Sequence, residues 1–513
     1  MTALAALRPV LNLTVRRERF RSSAWYLTAG AVLSGIAAGI AKTYPTLTSR
    51  AELARSVNAS SGERFVIGPI HGTDIGNVAS WRLLGVASLA MGVASALTVV
   101  RNTRTAEEDG TRELLAPGAG RAAPLVSALT VAGTGSLGAG LVTATGMAGV
   151  GGDRIGSLLT GAQVASFGLV SAAVSALAAQ LVRSPRGATA CSIGATAAFF
   201  CVRGAGDVLG GRGAWISPFG WITAVQPFAA RNPVMFLPVL ALTGTLAGCA
   251  LAISARRDLG AALVGDRSGP TYADPHLRGP VSLGWQTTRA ATLGWSVTGA
   301  ALGVLIGALA STVDDQAHLE LGSGGSGLLA MTLYLAPLAA ALLGVQIALR
   351  LRDEVTSGRA EHLLARPVSR ARWLLSYPAA GGVASTVLLL AIGAGIAVGQ
   401  LPAGRYGPWQ LVVASVARTP AAWVLIAVTT LLLATAPRAA ALVSYALIAG
   451  YELLELAVEF SVVPAAALRI SPFAMVPQLP DGDHHPLATV VMLTLTAALC
   501  AIAARASRHL NVT

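Results

Sequence analysis

Lysine is almost missing from this 513-residue sequence. Of its 37 lysine and arginine residues, Lys42 alone is a lysine. A phosphate-binding P-loop requires a glycine-rich turn followed directly by lysine and serine or threonine. Lys42 stands in the tetrapeptide Ala-Lys-Thr-Tyr, with no glycine directly before it. We therefore exclude ATP hydrolysis by a P-loop on this chain and expect it to bind no cofactor.

Charge of either sign is also scarce, and cysteines are few. Charged residues make up 12% of the chain and hydrophobic residues 54%. Apolar runs of roughly 20 residues recur throughout, which is the length that spans a bilayer. A soluble protein would need helices with a polar face, and most of these runs have none. The four cysteines lie in or beside apolar runs without metal-ligand spacing, so we interpret them as small buried hydrophobes and expect no metal site.

The apolar runs predict an all-α polytopic membrane protein with about twelve spans. Arginine-rich residues 3–21 precede the first span and predict an interfacial amphipathic helix. Residues 204–232, rich in glycine and proline, predict a re-entrant hairpin whose backbone the protein must cover. The spans are expected near residues 25–40, 81–100, 124–147, 155–182, 188–203, 233–255, 290–313, 328–349, 373–399, 409–436, 439–460 and 486–504.

Two polar islands interrupt the apolar sequence, one after the second predicted span and one after the eighth. We call residues 107–122 the first island and residues 353–371 the second island. Both contain acids, a glycine, the triplet Leu-Leu-Ala and a later Arg-Ala pair, which predicts a short helix at a membrane surface. Thr105 and Glu108 resemble a capping box for the first helix. The candidate residues are Glu107, Glu108, Gly110, Glu113, Leu114 and Leu115 in the first island, and Glu354, Gly358, Glu361, Leu363, Leu364 and Arg370 in the second.

The islands belong to an internal duplication with four anchors in the same order. The other three anchors are a Pro-Val pair before a tryptophan, a Pro-Arg pair, and the tetrapeptide Ile-Ser-Pro-Phe. They lie at Pro9, Pro185 and Ile216 in the first copy and at Pro280, Pro437 and Ile470 in the second. The duplication predicts a first six-helix half over residues 1–255, a linker over 256–280 and a second half over 281–513, related by pseudo-symmetry.

Arginine placement predicts the orientation of the chain in the membrane. Most basic residues fall on one set of loops, so the positive-inside rule puts both termini, the linker and both islands in the cytoplasm. The hairpin after each fifth span then lies on the extracellular side. Because the arginines are scattered over short loops, the net charge of +13 indicates orientation rather than a nucleic-acid partner. The tryptophans expected as interfacial anchors at span ends are Trp25, Trp81, Trp295, Trp373 and Trp409.

Two six-span halves, each with an N-terminal interfacial helix, an island after its second span and a hairpin after its fifth, resemble an ABC transporter permease of the type-2 exporter family. The stretch Leu-Leu-Ala-Arg-Pro-Val-Ser-Arg of the second island is similar to actinobacterial permeases of polyketide-antibiotic (tetronasin-like) or multidrug exporters. The first island departs from this pattern, with Pro117-Gly-Ala-Gly120 in place of Arg366-Pro-Val-Ser369.

The resemblance implies that the islands are coupling helices docking on two copies of a separate ABC ATPase subunit, which binds the ATP and magnesium. The cargo would be a hydrophobic or amphipathic small molecule. A Leu-Leu edge with charged flanks suits docking in a groove. The alternative for the islands is a solvated charged loop between two spans.

Charged residues inside predicted spans are the second set of candidates. Acids within a span are costly and mark a cavity, a pathway or a buried pair. Three acids of the eleventh span share one helical face. The duplication aligns two of them with charged residues of the fifth span, so we expect a pair between Arg203 and Glu455. The candidates are Glu452, Glu455, Glu459, Arg203 and Asp207.

Three other functions are compatible with part of the sequence. A proton-coupled secondary multidrug transporter would also have about twelve spans in two halves. A lipid-exporting permease would have a similar apolar pathway. A lipid-modifying membrane enzyme is disfavoured, because the seven histidines form no compact catalytic constellation with acids or a metal.

Overall fold

The computed structural model describes residues 7–115, 120–258, 260–264, 272, 277, 279–317, 327–356, 358–365, 367–401, 406–459, 463–476 and 486–507. The chain divides into two compact units, Met1–Gly269 and Pro270–Thr513. We describe each unit by itself and call them unit 1 and unit 2. The division falls inside the sequence predicted as a linker.

Unit 1 is built from long helices joined by short ones. A π-helical turn, Arg101–Thr105, follows its fourth helix, and 3₁₀ turns lie at Arg212–Ile216 and Pro233–Met235. Its helices are α1 Leu7–Thr43, α2 Leu47–Ala59, α3 Ser61–Val66, α4 Ile75–Val100, α5 Ala106–Glu108, α6 Thr111–Leu115, α7 Ala123–Gly149, α8 Arg154–Leu181, α9 Pro185–Val208, α10 Pro218–Thr223 and α11 Phe236–Arg256.

Unit 2 has the same kind of construction. A 3₁₀ turn lies at Ala465–Ile470, and Pro337 and Pro378 stand inside two of its long helices. Its helices are α12 Pro280–Ala317, α13 Gly327–Ala348, α14 Arg350–Thr356, α15 Arg359–Leu364, α16 Arg370–Gly399, α17 Pro408–Val416, α18 Thr419–Thr435, α19 Ala440–Glu459 and α20 Pro486–Ala506.

Eleven helical segments of the described chain are long and apolar enough to cross a membrane. They coincide with eleven of the twelve predicted spans, from the first helix to α20. The remaining prediction, residues 439–460, corresponds to α19, which is helical but is not among those eleven. The chain is therefore an all-helical, multi-pass membrane protein, since only helices and closed barrels satisfy their backbone hydrogen bonds in lipid.

The interfacial helices predicted before the first span of each half are not separate elements. Arginine-rich residues 7–21 continue without a break into the first span as one 37-residue helix, α1. The corresponding segment of unit 2 continues in the same way as the 38-residue α12. The arginine-rich part of α1 includes the buried Glu18, so helix–helix contacts and not an interface alone hold it. The prediction of a distinct amphipathic element was wrong.

The second long helix begins earlier than hydropathy predicted. It starts at Ile75, so Trp81 lies in its second turn and not at a membrane boundary. The indole of Trp81 is buried and donates a hydrogen bond to the carbonyl of Gly68, at 2.6 Å. Trp373 is buried as well, whereas Trp25 and Trp409 are exposed. Two of the five expected interfacial anchors are thus core residues. A tryptophan ring has a large apolar surface, which can be buried inside the protein as well as placed at a membrane interface.

The region between the fifth and sixth spans of unit 1 is a compact set of short turns. Ser217 caps α10, and its hydroxyl also donates to the carbonyl of Phe199, at 2.6 Å. Phe219 packs edge-on against Phe199 and Phe167. Protein therefore covers this irregular backbone, as its place in a membrane protein requires.

The long helices pack through the same order of spans in both units. In unit 1, α7 packs on α1, and α8 packs on α4 and α11. In unit 2, α16 packs on α12, and α18 packs on α13 and α20. Small residues allow the closest approaches, since Gly140 faces Gly161 between α7 and α8, and Gly381 faces Gly344 between α16 and α13.

The glycine contact between α7 and α8 gives a stability prediction. A β-carbon at Gly140 would overlap the carbonyl oxygen of Gly161, so Gly140→Ala must push two spans apart. Gly138, two residues earlier in α7, is the matched control, because a β-carbon there would enter open space with no neighbouring atom within 4 Å. We expect Gly140→Ala to lower the melting temperature of the purified protein by several degrees and Gly138→Ala to leave it unchanged or slightly higher. Equal melting temperatures for the two variants would contradict this packing.

Candidate functional site

The first island forms directly at the end of α4. The helix passes through the π-helical turn into α5, and the chain then reverses at Gly110, whose φ is +70°. A left-handed conformation of this kind favours glycine. The short helix α6 follows. Thr105 lies within the continuous helical turn and makes no capping bond, so the predicted capping box is absent at this residue.

Glu107 is the centre of a buried cluster of charges in the first island. Its carboxylate pairs with Arg104 at 2.8 Å, with Arg257 at 2.7 Å and with Arg112. The side chain of Glu107 is only 6% exposed. We call these four residues the Glu107 cluster. Glu107 is therefore turned into the protein, and its expected role in coupling to a partner stays a prediction.

The Glu107 cluster ties three separate segments together. Arg104 donates to the backbone carbonyls of Ala179 and Gln180 at the end of α8, and to that of Ala261, at 3.0 Å. The chain after α11 returns to the same place, because the amide of Val264 donates to the carbonyl of Leu181 at 3.0 Å. The island, the end of the fourth span, and residues 257–258 and 260–264 are therefore one connected structure.

Arg112 connects the short helix α6 to this structure. Besides Glu107, it donates to the carbonyl of Arg121 at 2.8 Å, and the hydroxyl of Ser254 donates to that same carbonyl at 3.2 Å. Burial, with a smaller effect of the neighbouring Arg257 and Arg104, lowers the pKa of Arg112 to about 10. Burial also lowers the pKa of Arg257. Arg112 nevertheless stays positively charged at neutral pH, so its ion pair persists there.

Other acids of the first island point outward. Glu108, Asp109 and Glu113 are exposed, and Glu113 lies on α6. The side chains of Leu114 and Leu115 lie outside the described residues. The outward acids and the buried Glu107 thus give the island one fixed side and one accessible side.

The backbone of the second island has a conformation similar to that of the first island. The φ of Gly358 is +73°, and the short helix α15 follows it, as α6 follows Gly110. Glu354, one turn earlier, accepts hydrogen bonds from Arg359 at 3.1 Å and from the hydroxyl of Tyr377 at 3.2 Å. The Glu354 side chain is 13% exposed and that of Arg359 is 59% exposed. The bond to Glu354 raises the pKa of Arg359. Glu354 is therefore an internal anchor for α15 on α16, and not a surface contact.

The leucines of the second island pack inward. Leu363 and Leu364 are partly buried against a cluster of the unit's own core that includes Trp373 and Ala360. This packing covers part of both side chains, and the docking of a Leu-Leu edge in a partner's groove stays a prediction. Most exposed side chains of the second island are charged or polar, and the apolar Val355, Ala365 and Pro367 are exposed beside them. The charged and polar ones are Asp353, Arg359, Glu361, His362, Ser369 and Arg370.

Of the candidate charges inside the spans, Arg203 and Asp207 are paired with each other. Both are buried, and Arg203 Nη1 lies 2.9 Å from Asp207 Oδ2 within α9. Arg203 also donates to the carbonyls of Phe65 and Val66, at 3.0 and 2.8 Å. Its guanidinium lies over the ring of Phe200. The charge of Arg203 is thus balanced within unit 1, and the pairing with Glu455 stays a prediction.

The acids of α19 have different surroundings. Glu455 Oε1 accepts a bond from Ser471 at 3.4 Å, and the buried Oε2 has no partner among the described residues. Glu452 is partly buried on the same helix, and the side chain of Glu459 lies outside the described residues. Tyr451 packs edge-on against Phe473 at 6.1 Å. Phe199 and Phe219 form the corresponding contact in unit 1, at 5.8 Å.

Sequence reasoning missed one buried ion pair. Glu18 of α1 accepts two hydrogen bonds from Arg101 and one from Ser22, at 2.8 Å. Glu18 is 2% exposed. The sequence did contain an indication that Glu18 is special, since it is the only acid among the arginines that precede the first span. The partner could not be read from the sequence, because Arg101 belongs to another helix.

The long apolar helices and the two polar islands at their ends define a multi-pass membrane protein of the transporter class. The comparisons with known proteins agree. Residues 277–508 match the family model described as multidrug efflux system permease Rv1217c, C-terminal domain. The chain is also 33% identical to the multidrug efflux system permease protein Rv1217c of Mycobacterium tuberculosis (strain ATCC 25618 / H37Rv), over 98% of this chain and 94% of that protein.

The chain belongs to this family of multidrug efflux system permeases.

The Glu107 cluster gives the second prediction. Removing one partner from a buried ion pair costs about 3–5 kcal/mol, because the other charge is left without compensation. Glu107→Gln leaves three buried or half-buried arginines around a neutral amide, so we expect a lower melting temperature and faster proteolysis after α11. Glu108→Gln removes a neighbouring exposed charge and should change neither. A Glu107→Gln variant as stable as Glu108→Gln would show that the cluster does not hold these segments.

Proposed function

We propose that this chain is the membrane permease of an ATP-driven ABC exporter, in which the two islands dock on ATPase subunits. The observation that carries the proposal is the repeated geometry of the islands. In each unit, a glycine with positive φ starts a short helix, a largely buried acid anchors its base, and another acid faces outward. Family membership supports a transport role, and the resemblance to type-2 ABC permeases supports the ATPase partner.

An anchored short helix is suited to transmitting a push from a partner to the spans. Rigid elements that dock on a moving subunit pass its displacement to whatever they are bonded to. The Glu107 cluster bonds the first island to the end of α8. Glu354 bonds the base of α15 to Tyr377 of α16. We infer that movement of each partner reaches the fourth span in unit 1 and the third span of unit 2.

The outward side chains define what the partner surface must offer. Glu113 and Glu361 are exposed on α6 and α15. Because the predicted leucine edge of α15 packs inward, we infer that docking relies on charge complementarity more than on apolar contact. Two separate ATPase subunits, with their ATP and magnesium, complete the exporter in this proposal.

The remaining parts of the proposal follow from the duplication and the arginine distribution. We infer two pseudo-symmetric halves, which fits the shared span contacts and the equivalent aromatic pairs of the two units. The excess of arginine in the island loops favours the cytoplasm for the islands and both termini. The cargo would be a hydrophobic or amphipathic compound, and antibiotics of the polyketide type are one such class.

A proton-coupled secondary transporter is the second candidate. The observation that favours it is Glu455 of α19, an acid with a buried oxygen that has no partner among the described residues. Such a residue is suited to carrying a proton. This candidate requires transport by the chain alone, which separates it from the ABC proposal.

Charge reversal on the islands tests docking. We expect Glu361→Lys and Glu113→Lys to reduce recovery of the ATPase subunit in a detergent pull-down, with the double variant losing most of it. Both residues are exposed, so the melting temperature should not change. Glu52→Lys, an exposed charge reversal on α2 near the opposite end of α4, is the matched control. Full recovery of the partner by the double variant would refute docking at the islands.

Reconstitution tests the energy source. In proteoliposomes that contain this chain and its ATPase partner, we expect cargo movement that requires ATP and is inhibited by vanadate. The chain alone should show neither ATP hydrolysis nor movement of cargo, because it has no P-loop. Glu455→Gln should leave ATP-driven movement largely intact. Movement by the chain alone under a proton gradient, abolished by Glu455→Gln, would favour the secondary transporter instead.

A further inference from the structure

Unit 1 contains a cavity of about 190 Å³ at the end of α4 opposite the first island. It is lined by the first turns of α4, the end of α9, the loop before α4 and the turns after α10. Helix α4 has 26 residues, so the cavity and the island lie on the order of 40 Å apart. The cavity is therefore distinct from the candidate coupling site.

Aromatic side chains form much of the cavity wall. Trp81, Trp215 and Phe228 line it. The hydrogen bond from Trp81 to Gly68 fixes the Trp81 indole. The ring of Phe228 lies so close to Gly76 and Gly156 that a β-carbon at either glycine would overlap it. The rings of Trp81 and Phe228 are therefore held in place before any ligand arrives, which reduces the entropy cost of binding. Trp215 is 55% exposed and stands at the mouth of the cavity.

The same cavity is lined by the side chain of Asn77. Asn77 is 7% exposed, and no hydrogen bond of its carboxamide is found among the described residues. Its amide atoms are not sealed inside the protein. The two donors and the acceptor of this amide are therefore free to bond water or a ligand that enters the cavity.

The backbone at Gln226 is strained. Its φ is +46°, in the left-handed region that side chains other than glycine rarely adopt. The amides of Ala229 and Arg231 donate to the Gln226 carbonyl and maintain this turn. Strained residues of this kind occur preferentially at ligand sites, where surrounding structure holds them. The strain is an observation independent of the Asn77 carboxamide.

The charges around the cavity favour an uncharged ligand. Asp207 lines it, but its carboxylate is paired with Arg203, and Arg64 donates to the backbone carbonyls of Asp207 and Val208. Burial lowers the pKa of His71, so its imidazole is neutral at pH 7. A cation would meet two arginines nearby, and an anion would meet the Asp207 carboxylate. Either would also lose its hydration.

We propose that this cavity binds the flat, uncharged, amide-bearing aromatic part of a small molecule, with the carboxamide of Asn77 hydrogen-bonding the ligand amide between the aromatic walls. Water alone could bond to Asn77 but would leave the faces of Trp81, Trp215 and Phe228 without a matching partner. This binding goes beyond the proposed export function. It is a property of unit 1 that needs no ATPase subunit.

Benzamide is the probe, titrated into the purified full chain in detergent and followed by saturation-transfer NMR. Toluene has the same ring without the amide, and benzoate has the same shape with a charge. We expect saturable binding of benzamide with a Kd on the order of millimolar, as suits so small a ligand. Toluene and benzoate should bind at least about tenfold more weakly, since each lacks the neutral amide.

Asn77→Leu is the decisive variant, because leucine keeps the volume and removes the amide. We expect it to weaken benzamide binding about tenfold or more and not to lower the melting temperature, since the lost amide has no protein partner. Asn102→Leu makes the same change in the π-helical turn just after α4, far from the cavity, and should bind benzamide normally. Equal binding by Asn77→Leu and the unchanged protein, or no saturable binding at all, would refute the site. ATP-driven export in proteoliposomes would be unaffected by that failure, so the two proposals are distinguishable.

Discussion

Backbone hydrogen bonding in hydrocarbon is the constraint on which this structure depends. In lipid, each peptide group must find its hydrogen-bond partner within the protein, so the spans are helices. The N–H and C=O groups at each helix end have no partner in the helix itself and must bond to other groups. Arginine side chains donate many of the hydrogen bonds that the carbonyls at these helix ends accept. Arg104 donates to carbonyls at the end of α8, Arg64 to those at the end of α9, and Arg50 to Tyr44 and Pro45 just after α1.

This use of arginine gives a physical reason for the composition of the chain. A guanidinium presents five donors in a planar fork and can bond two carbonyls and a carboxylate at once. Arg104 and Arg203 both do so. A lysine ammonium is a more strongly hydrated point charge and loses more when it is buried. The near absence of lysine therefore matches a protein whose cations are bonded inside it as well as placed on its surface.

The sequence predicted correctly those structural features that depend on a single segment of the chain. Long apolar runs located eleven spans, and the polar islands contain the short helices that were predicted, although the first of them follows Gly110 and is not capped by Thr105. It did not predict which side chains are buried by contacts with distant segments of the chain. Glu107 and Arg257 are 150 positions apart, and nothing in the local pattern of the first island distinguishes the buried Glu107 from the exposed Glu108. The inward packing of Leu363 and Leu364 likewise depends on Trp373 and other helices.

The different anchoring of the two islands has a mechanical consequence. A displacement of α6 must distort the ion pairs of Glu107. Because Arg104 and Arg257 also bond to backbone carbonyls, it would disturb the end of α8 and Ala261 as well. In the described part of unit 2, Glu354 attaches the base of α15 through the hydroxyl of Tyr377 and the largely exposed Arg359. The two islands are thus held by different kinds of contact, ion pairs in unit 1 and core packing with hydrogen bonds in unit 2. In the proposed exporter, a change of salt concentration or of buried charge would therefore act on the first island more than on the second.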